Sequence, residues 1–269
     1  MLTRIFSDLH AASRNTRQQE QNRKDGRALP QRWAMWMAVS GDLRFASHHD
    51  MMRVIERTLL RAKLPLKYSQ GFSPRAIISL AFPRPVGVAT HRDLLVISLD
   101  ADLVRQDLLD AANRCSPVGL SFSDAIPLEG KTTPQPIECT FQLTVPPDKI
   151  DAVKRAVEHF LSQETYTITR TKPPKRRKRY APGQTSEPVT RTLDLKLLID
   201  NVQLNDNTLS WRQKPHQTRW AKPIEAIAAF RLDPTSDMAL ATRTSLVFQD
   251  LNEYTGQADD KIDREPNTT

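Results

Sequence analysis

Cysteine is nearly absent. Cys115 and Cys139 are the two present, far apart and in no CxxC spacing. They build neither a disulfide framework nor a Cys-based metal site, and their scarcity fits a reducing cytoplasm. Long apolar runs are missing too. No stretch approaches the ~18 residues that a membrane-spanning helix needs, and the N-terminus lacks the apolar centre of a secretion signal. The chain is therefore expected in the cytoplasm, away from membranes. GxSxG, HExxH, the P-loop, GxGxxG and CxxxCxxC are all missing, and no carboxylate pair stands out as an acid–base set. Neither metal nor cofactor is expected, and no catalytic role is assigned to any residue. The composition favours a protein that binds a substrate over one that transforms it alone.

Positive charge is what the chain does have. Its net charge of +8 points to an acidic partner such as nucleic acid. Arg170, Lys172, Lys175, Arg176, Arg177, Lys178 and Arg179 are basic with no acid among them. Removing these seven leaves +1, so the excess sits in one loop. Hydrophobic residues make up 39%, a low share that is concentrated between polar ends. Residues 1–31, rich in Gln, Asn and Arg, read as a disordered extension, or as sequence ahead of a start at Met35 or Met37. Residues 250–269 read as a disordered tail.

Between these ends two modules are expected, 32–130 and 131–249, the second carrying the basic loop 170–190. Residues 32–39 read as a strand and 48–64 as an amphipathic helix capped by Ser47, with Asp50 in the capping-box position and Pro65 as its stop. Met51, Ile55, Leu59 and Ala62 share its inward face. Arg53, Arg57 and Arg61 share another. Strands follow at 76–82 and 94–99, a helix at 102–113 and a strand at 119–127. The second half repeats that order, with strands at 137–145, 166–171, 193–199 and 208–211, helices at 148–162 and 223–230, and a closing strand at 241–248. Ile150, Val153, Val157 and Leu161 are expected to face inward. Strand-helix-strand-strand-helix-strand, twice over, predicts an α+β fold of tandem ferredoxin-like modules.

Three segments are candidate sites. Arg44, His48, His49 and Asp50 lie in RFASHHD. Adjacent helical residues diverge by about 100°, so His48 and His49 do not share a metal; the segment is either a capped helix start or a polar binding site. Lys67, Tyr68, Ser69, Gln70, Gly71, Phe72, Ser73 and Arg75 lie in KYSQGFSPR. This loop has donors, two cations and two aromatics, so it is either a ligand loop or a crossover pinned by Tyr68 and Phe72 in the core. The basic run 170–179 is either a solvated loop or a phosphate-binding one. Trp211 to Lys222 interleaves aromatics and cations, and a twisted hairpin with its tryptophans in the core is the preferred reading.

Residues 43–88, LRFASHHDMMRVIERTLLRAKLPLKYSQGFSPRAIISLAFPRPVGV, resemble the opening of a family of uncharacterised bacterial proteins called radical-SAM-linked proteins. The shared pattern runs RFLSHLD, ERALRRAGLPLAYSQGFNPHP and PLPVG with almost no gaps. WAKPIEAI and ATRTSLV resemble later family segments more weakly, with Lys222 in place of an arginine. The resemblance implies an accessory role beside a radical-SAM enzyme carried on another chain, presenting a substrate such as RNA. Two alternatives stand beside this. One is a metal-independent endoribonuclease with His48 or His49 as base, and the other an adaptor that binds protein and no nucleic acid.

Overall fold

Strand β1 (Arg32–Val39) is apolar on both faces, and Trp33 through Met37 and Val39 are all buried. That pattern belongs to a strand inside a sheet, and β1 lies between β3 (Ala89–Ser98) and β4 (Leu120–Pro127), antiparallel to both. The computed structural model describes residues 32–101, 103–172, 189–249 and 251. The fold is α+β, with a large, mostly antiparallel sheet and four α-helices among these residues. Two compact units divide the chain, one made by residues up to Cys139 with those from Thr242, the other by Thr140–Ala241.

In the first unit, helix α1 (His48–Arg61) buries Met51, Ile55, Thr58 and Leu59. Burying each aliphatic side chain stabilises by roughly 1.5–3 kcal/mol. The Ser47 hydroxyl accepts from the Asp50 amide at 3.2 Å, a cap worth about 1 kcal/mol. At the other end Leu64 N donates to Leu59 O at 3.2 Å and Lys63 N to Leu60 O at 2.9 Å, with Lys63 left-handed at φ 54°. This pair of bonds closes the helix before Pro65 is reached, with Lys63 where glycine is commonest. Helix α2 (Arg105–Arg114) buries Leu108, Leu109 and Ala112 in the same core.

Strand β2 (Ile78–Leu80) pairs antiparallel with Leu95–Ile97 of β3. It is shorter than the 76–82 expected, because Ala76 bridges back to Tyr68. Strand β3 instead starts five residues before the expected 94. Thr90 pairs with Val39 on one side, while Ala89 and Thr90 run parallel to Thr242 and Arg243 of β10 (Ala241–Phe248) on the other. Strand β10, expected as the closing strand, pairs with β3, and its residues from Thr242 on fall in the first unit.

The second unit contains most of β5 (Pro136–Thr144), then α3 (Ile150–Ser162), β6 (Thr167–Lys172) and β7 (Val189–Asp194). After these come β8 (Ile199–Asn205), β9 (Thr208–Gln213) and α4 (Pro223–Ala229). Helix α3 buries Phe160 and leaves Leu161 exposed, the reverse of the sequence expectation. Positions 150, 153, 157 and 160 hold one face as the helix turns, and 161 falls off it. The single strand expected at 193–199 is two strands. The Asp194 carboxylate accepts from the amides of Tyr166 (2.8 Å) and Lys196 (3.0 Å), turning the chain out of β7 through a short helical turn into β8. Trp211 is fully buried, stacked on Phe141 at 5.3 Å and tilted against Phe230, in the hairpin reading preferred for that segment.

Candidate nucleic-acid interface

The RFASHHD segment forms a short helical turn (Gly41–Phe45), then the cap and first turn of α1. Aspartate is one methylene short of the usual glutamate of a capping box. The Asp50 carboxylate accepts from the Ser47 hydroxyl at 2.7 Å and from Arg53 Nη1 at 3.2 Å. The Ser47 hydroxyl, and behind it the Arg53 guanidinium, hold the Asp50 carboxyl below its ordinary value. His48 and His49 are both exposed, with ring centroids 5.7 Å apart and planes tilted by 58°. Among the described residues no three His, Cys, Asp or Glu side chains gather as a metal site.

Arg53, Arg57 and Arg61 are all exposed along α1, one turn apart. Arg53 pairs with Asp50 on the surface, an interaction worth well under about 1 kcal/mol and readily exchanged for another anion. Arg61 Nη2 donates to the Cys115 carbonyl at 2.8 Å, which holds no negative charge. Arg57 has no hydrogen bond or ion pair with any described residue. Three cations thus stand in a row, with the exposed Asp50 and the part-exposed Glu56 as the carboxylates of the same helix.

The 67–75 loop leaves α1 and returns to β2. Its neck is tied by Ser69 N to Arg75 O (2.8 Å), Arg75 N to Ser69 Oγ (3.0 Å), and the Tyr68–Ala76 bridge. Gln70, Gly71, Phe72 and Ser73 form the exposed tip, where Gly71 adopts φ 142°. The alternative that Tyr68 and Phe72 pin this loop into the core is overturned. Phe72 is 110% exposed and Tyr68 37%. Lys67 lies 3.8 Å from Asp100, and the Arg75 guanidinium has no partner among the described residues.

Behind this surface lies a network that sequence reasoning missed. Arg243 of β10 is 1% exposed and donates from Nε (3.0 Å) and Nη2 (2.6 Å) to one oxygen of Asp93, which also accepts from Thr90 Oγ1 at 2.6 Å. Arg84 Nη1 donates to the carbonyls of Arg44 and Val88, both at 2.7 Å, clamping the RFASHHD turn to the start of β3. Burial, and the second guanidinium of Arg243, push the Arg84 pKa down, partly offset by Asp93. Arg84, Asp93 and His48 line a small cleft with Met37 and Met51. Arg44, expected to meet a ligand, places its guanidinium 4.9 Å over the Phe45 ring, with its Nε buried and unpartnered. The available signal was Arg243 at an alternate, inward position of a strand that also carries Ala241, Leu246 and Phe248 inward, and Asp93 ahead of a four-residue apolar run.

The basic run divides. Arg170 does not belong to a free loop. It sits in β6 with a two-pronged pair to Glu225 (2.8 and 2.7 Å) and a bond to the Trp220 carbonyl, so its charge serves the fold of the second unit. Lys172 ends β6. Lys175, Arg176, Arg177, Lys178 and Arg179 lie outside the described residues, as do 1–31 and 252–269.

Residues 32–203 match the model of a family described as an uncharacterized protein conserved in bacteria (DUF2344). The match covers more than half of the chain, and the chain belongs to this family. No curated protein matches it.

Proposed function

We propose that this family member is a non-catalytic, RNA-binding accessory protein of the cytoplasm that serves a radical-SAM enzyme supplied by another chain. The observation that carries RNA binding is the row Arg53, Arg57 and Arg61, exposed on α1 with Arg57 unpartnered among the described residues. Such cations bind phosphates by releasing condensed counterions, a driving force that needs no sequence readout. The 67–75 loop adds Lys67, Arg75 and two accessible aromatics. His48, His49 and Asp50 stand at the rim of that surface as polar contacts. The link to a radical-SAM enzyme rests on the resemblance of residues 43–88.

The tandem ferredoxin-like architecture is part of the same reading. In its favour, the first unit has the antiparallel order β4-β1-β3-β2 around two helices. The order β5-α3-β8-β9-α4-β10 repeats those elements with the β6–β7 hairpin inserted. The basic run 175–179, which lies outside the described residues, belongs to the RNA-binding reading by its charge alone.

Purifying the tagged protein from its own cells, and identifying what comes with it, tests the proposal. A defined RNA class together with a radical-SAM protein is the expected result. The enzyme without RNA would replace this reading with a protein adaptor. Specific RNA cleavage by the purified chain, lost on His48→Ala, would replace it with an endoribonuclease.

A further inference from the structure

We infer that the 67–75 loop selects single-stranded over duplex RNA, stacking Phe72 on an unpaired base while Arg75 and Lys67 hold the flanking phosphates. This rests on the RNA-binding reading above and names its substrate class. A single exposed apolar side chain is ordinary on a protein surface. Phe72 differs in three respects. Among the described residues it is the most exposed of the large hydrophobic side chains, at 110%, with Gly71 beside it and open space around that glycine. Its stalk is preorganised. Two bonds between Ser69 and Arg75 close the neck, and Lys67 is tied further down to Ser98 and Ile77. The neck has little freedom left to lose on binding, which lowers the cost of a contact at the tip.

The third respect is charge. The Arg75 guanidinium at one side of the neck has no partner among the described residues, and the Lys67 ammonium at the other has a single exposed ion pair, with Asp100 at 3.8 Å. An aromatic between two available cations matches the alternation of base and phosphate along a single strand. It does not match A-form duplex, whose base faces are stacked inside and whose accessible groove offers hydroxyls and phosphates. It matches an apolar pocket on a partner protein less well, because the flanking cations would then need acids placed to meet them.

Fluorescence anisotropy with an unstructured oligoribonucleotide, alone and annealed to its complement, tests this on the full chain. Wild type is expected to prefer the single strand by about tenfold, within the range of one base stacked on one aromatic. Phe72→Ala is expected to remove that preference and leave duplex affinity unchanged. Phe72→Trp is expected to keep it, with the tryptophan emission quenched by the single strand alone. The tip is fully exposed, so neither change threatens the fold. Equal affinity for both forms, or a Phe72→Ala variant that binds the single strand like wild type, overturns the inference while leaving RNA binding intact. Failure of wild type to bind any RNA overturns both. Loss of a co-purifying protein in Phe72→Ala with RNA affinity unchanged assigns the tip to protein docking and overturns it as well.

Discussion

Arg57 and Arg243 belong to the same unit and carry the same charge under opposite conditions. Arg243 is 1% exposed and donates twice to Asp93, once to the Phe82 carbonyl, and lies over the Phe82 ring at 5.0 Å. Arg57 is in solvent with no described partner. A buried guanidinium must be compensated inside the fold, because its desolvation costs several kcal/mol. An exposed one is stable alone and remains available to a ligand. The difference separates arginines that hold the first unit together from those able to bind something else. Net charge, summed over both kinds, does not.

Breaking the buried side should have the largest effect. Asp93→Ala leaves Arg243 charged and unpaired and is expected to destabilise the first unit by about 3–5 kcal/mol, read by urea unfolding. RNA affinity per folded molecule should stay within about twofold if the surface is separate from the network. Cys139 gives a second readout of the same place. It is fully buried, and burial pushes its thiol up to about 12. A thiol reagent at pH 8 should label the partly exposed Cys115 in the native protein and reach Cys139 only on unfolding, with faster labelling in Asp93→Ala.

Breaking the exposed side should do the converse. Arg57→Glu with Arg61→Glu is expected to lower RNA affinity about tenfold, or ~1.4 kcal/mol, while shifting stability by roughly 0.5 kcal/mol or less. A large loss of stability with little change in affinity would erase the contrast.

Much of this was legible in the sequence, and the parts that were not share a cause. Helix α1 follows from local periodicity, because its apolar residues recur at the spacing of the element, and strand β1 follows from a short continuous apolar run that ends at a turn. Arg53, Arg57 and Arg61 fall on one helical face by counting alone. The ends of β2 and β3 were misjudged because they are set by pairings from elsewhere, Ala76 with Tyr68 and Thr90 with Arg243. The Asp93–Arg243 pair spans 150 residues, beyond the reach of any local pattern. Phe72 was ambiguous for a different reason. An aromatic in a short loop fits a core or a surface equally well until the bonds closing the loop are known.

Two smaller changes sharpen the comparison by leaving both clusters alone. Lys63→Gly relieves a left-handed lysine at the end of α1 and should stabilise the first unit by about 0.5–1 kcal/mol in thermal unfolding. In the second unit, the hydrogen bonds from Arg212, aided by Lys214, hold the Asp200 carboxyl below its ordinary value of 3.8. A depressed folded value means that the contribution is complete above the unfolded value and is lost as pH falls through the folded one. Stability should therefore be flat with respect to this group near neutrality and decline below about pH 4, by a few tenths of a kcal/mol for a pair this exposed. Asp200→Asn should remove that part of the decline.

The most direct test of the central claim is the salt dependence of RNA binding for wild type and for Arg53→Gln/Arg57→Gln/Arg61→Gln. If the α1 row contacts phosphates of a single strand, the slope of log affinity against log salt should become shallower by about 2, near 0.7 for each arginine removed. An unchanged slope, or a wild type that ignores RNA at low salt, would contradict the claim.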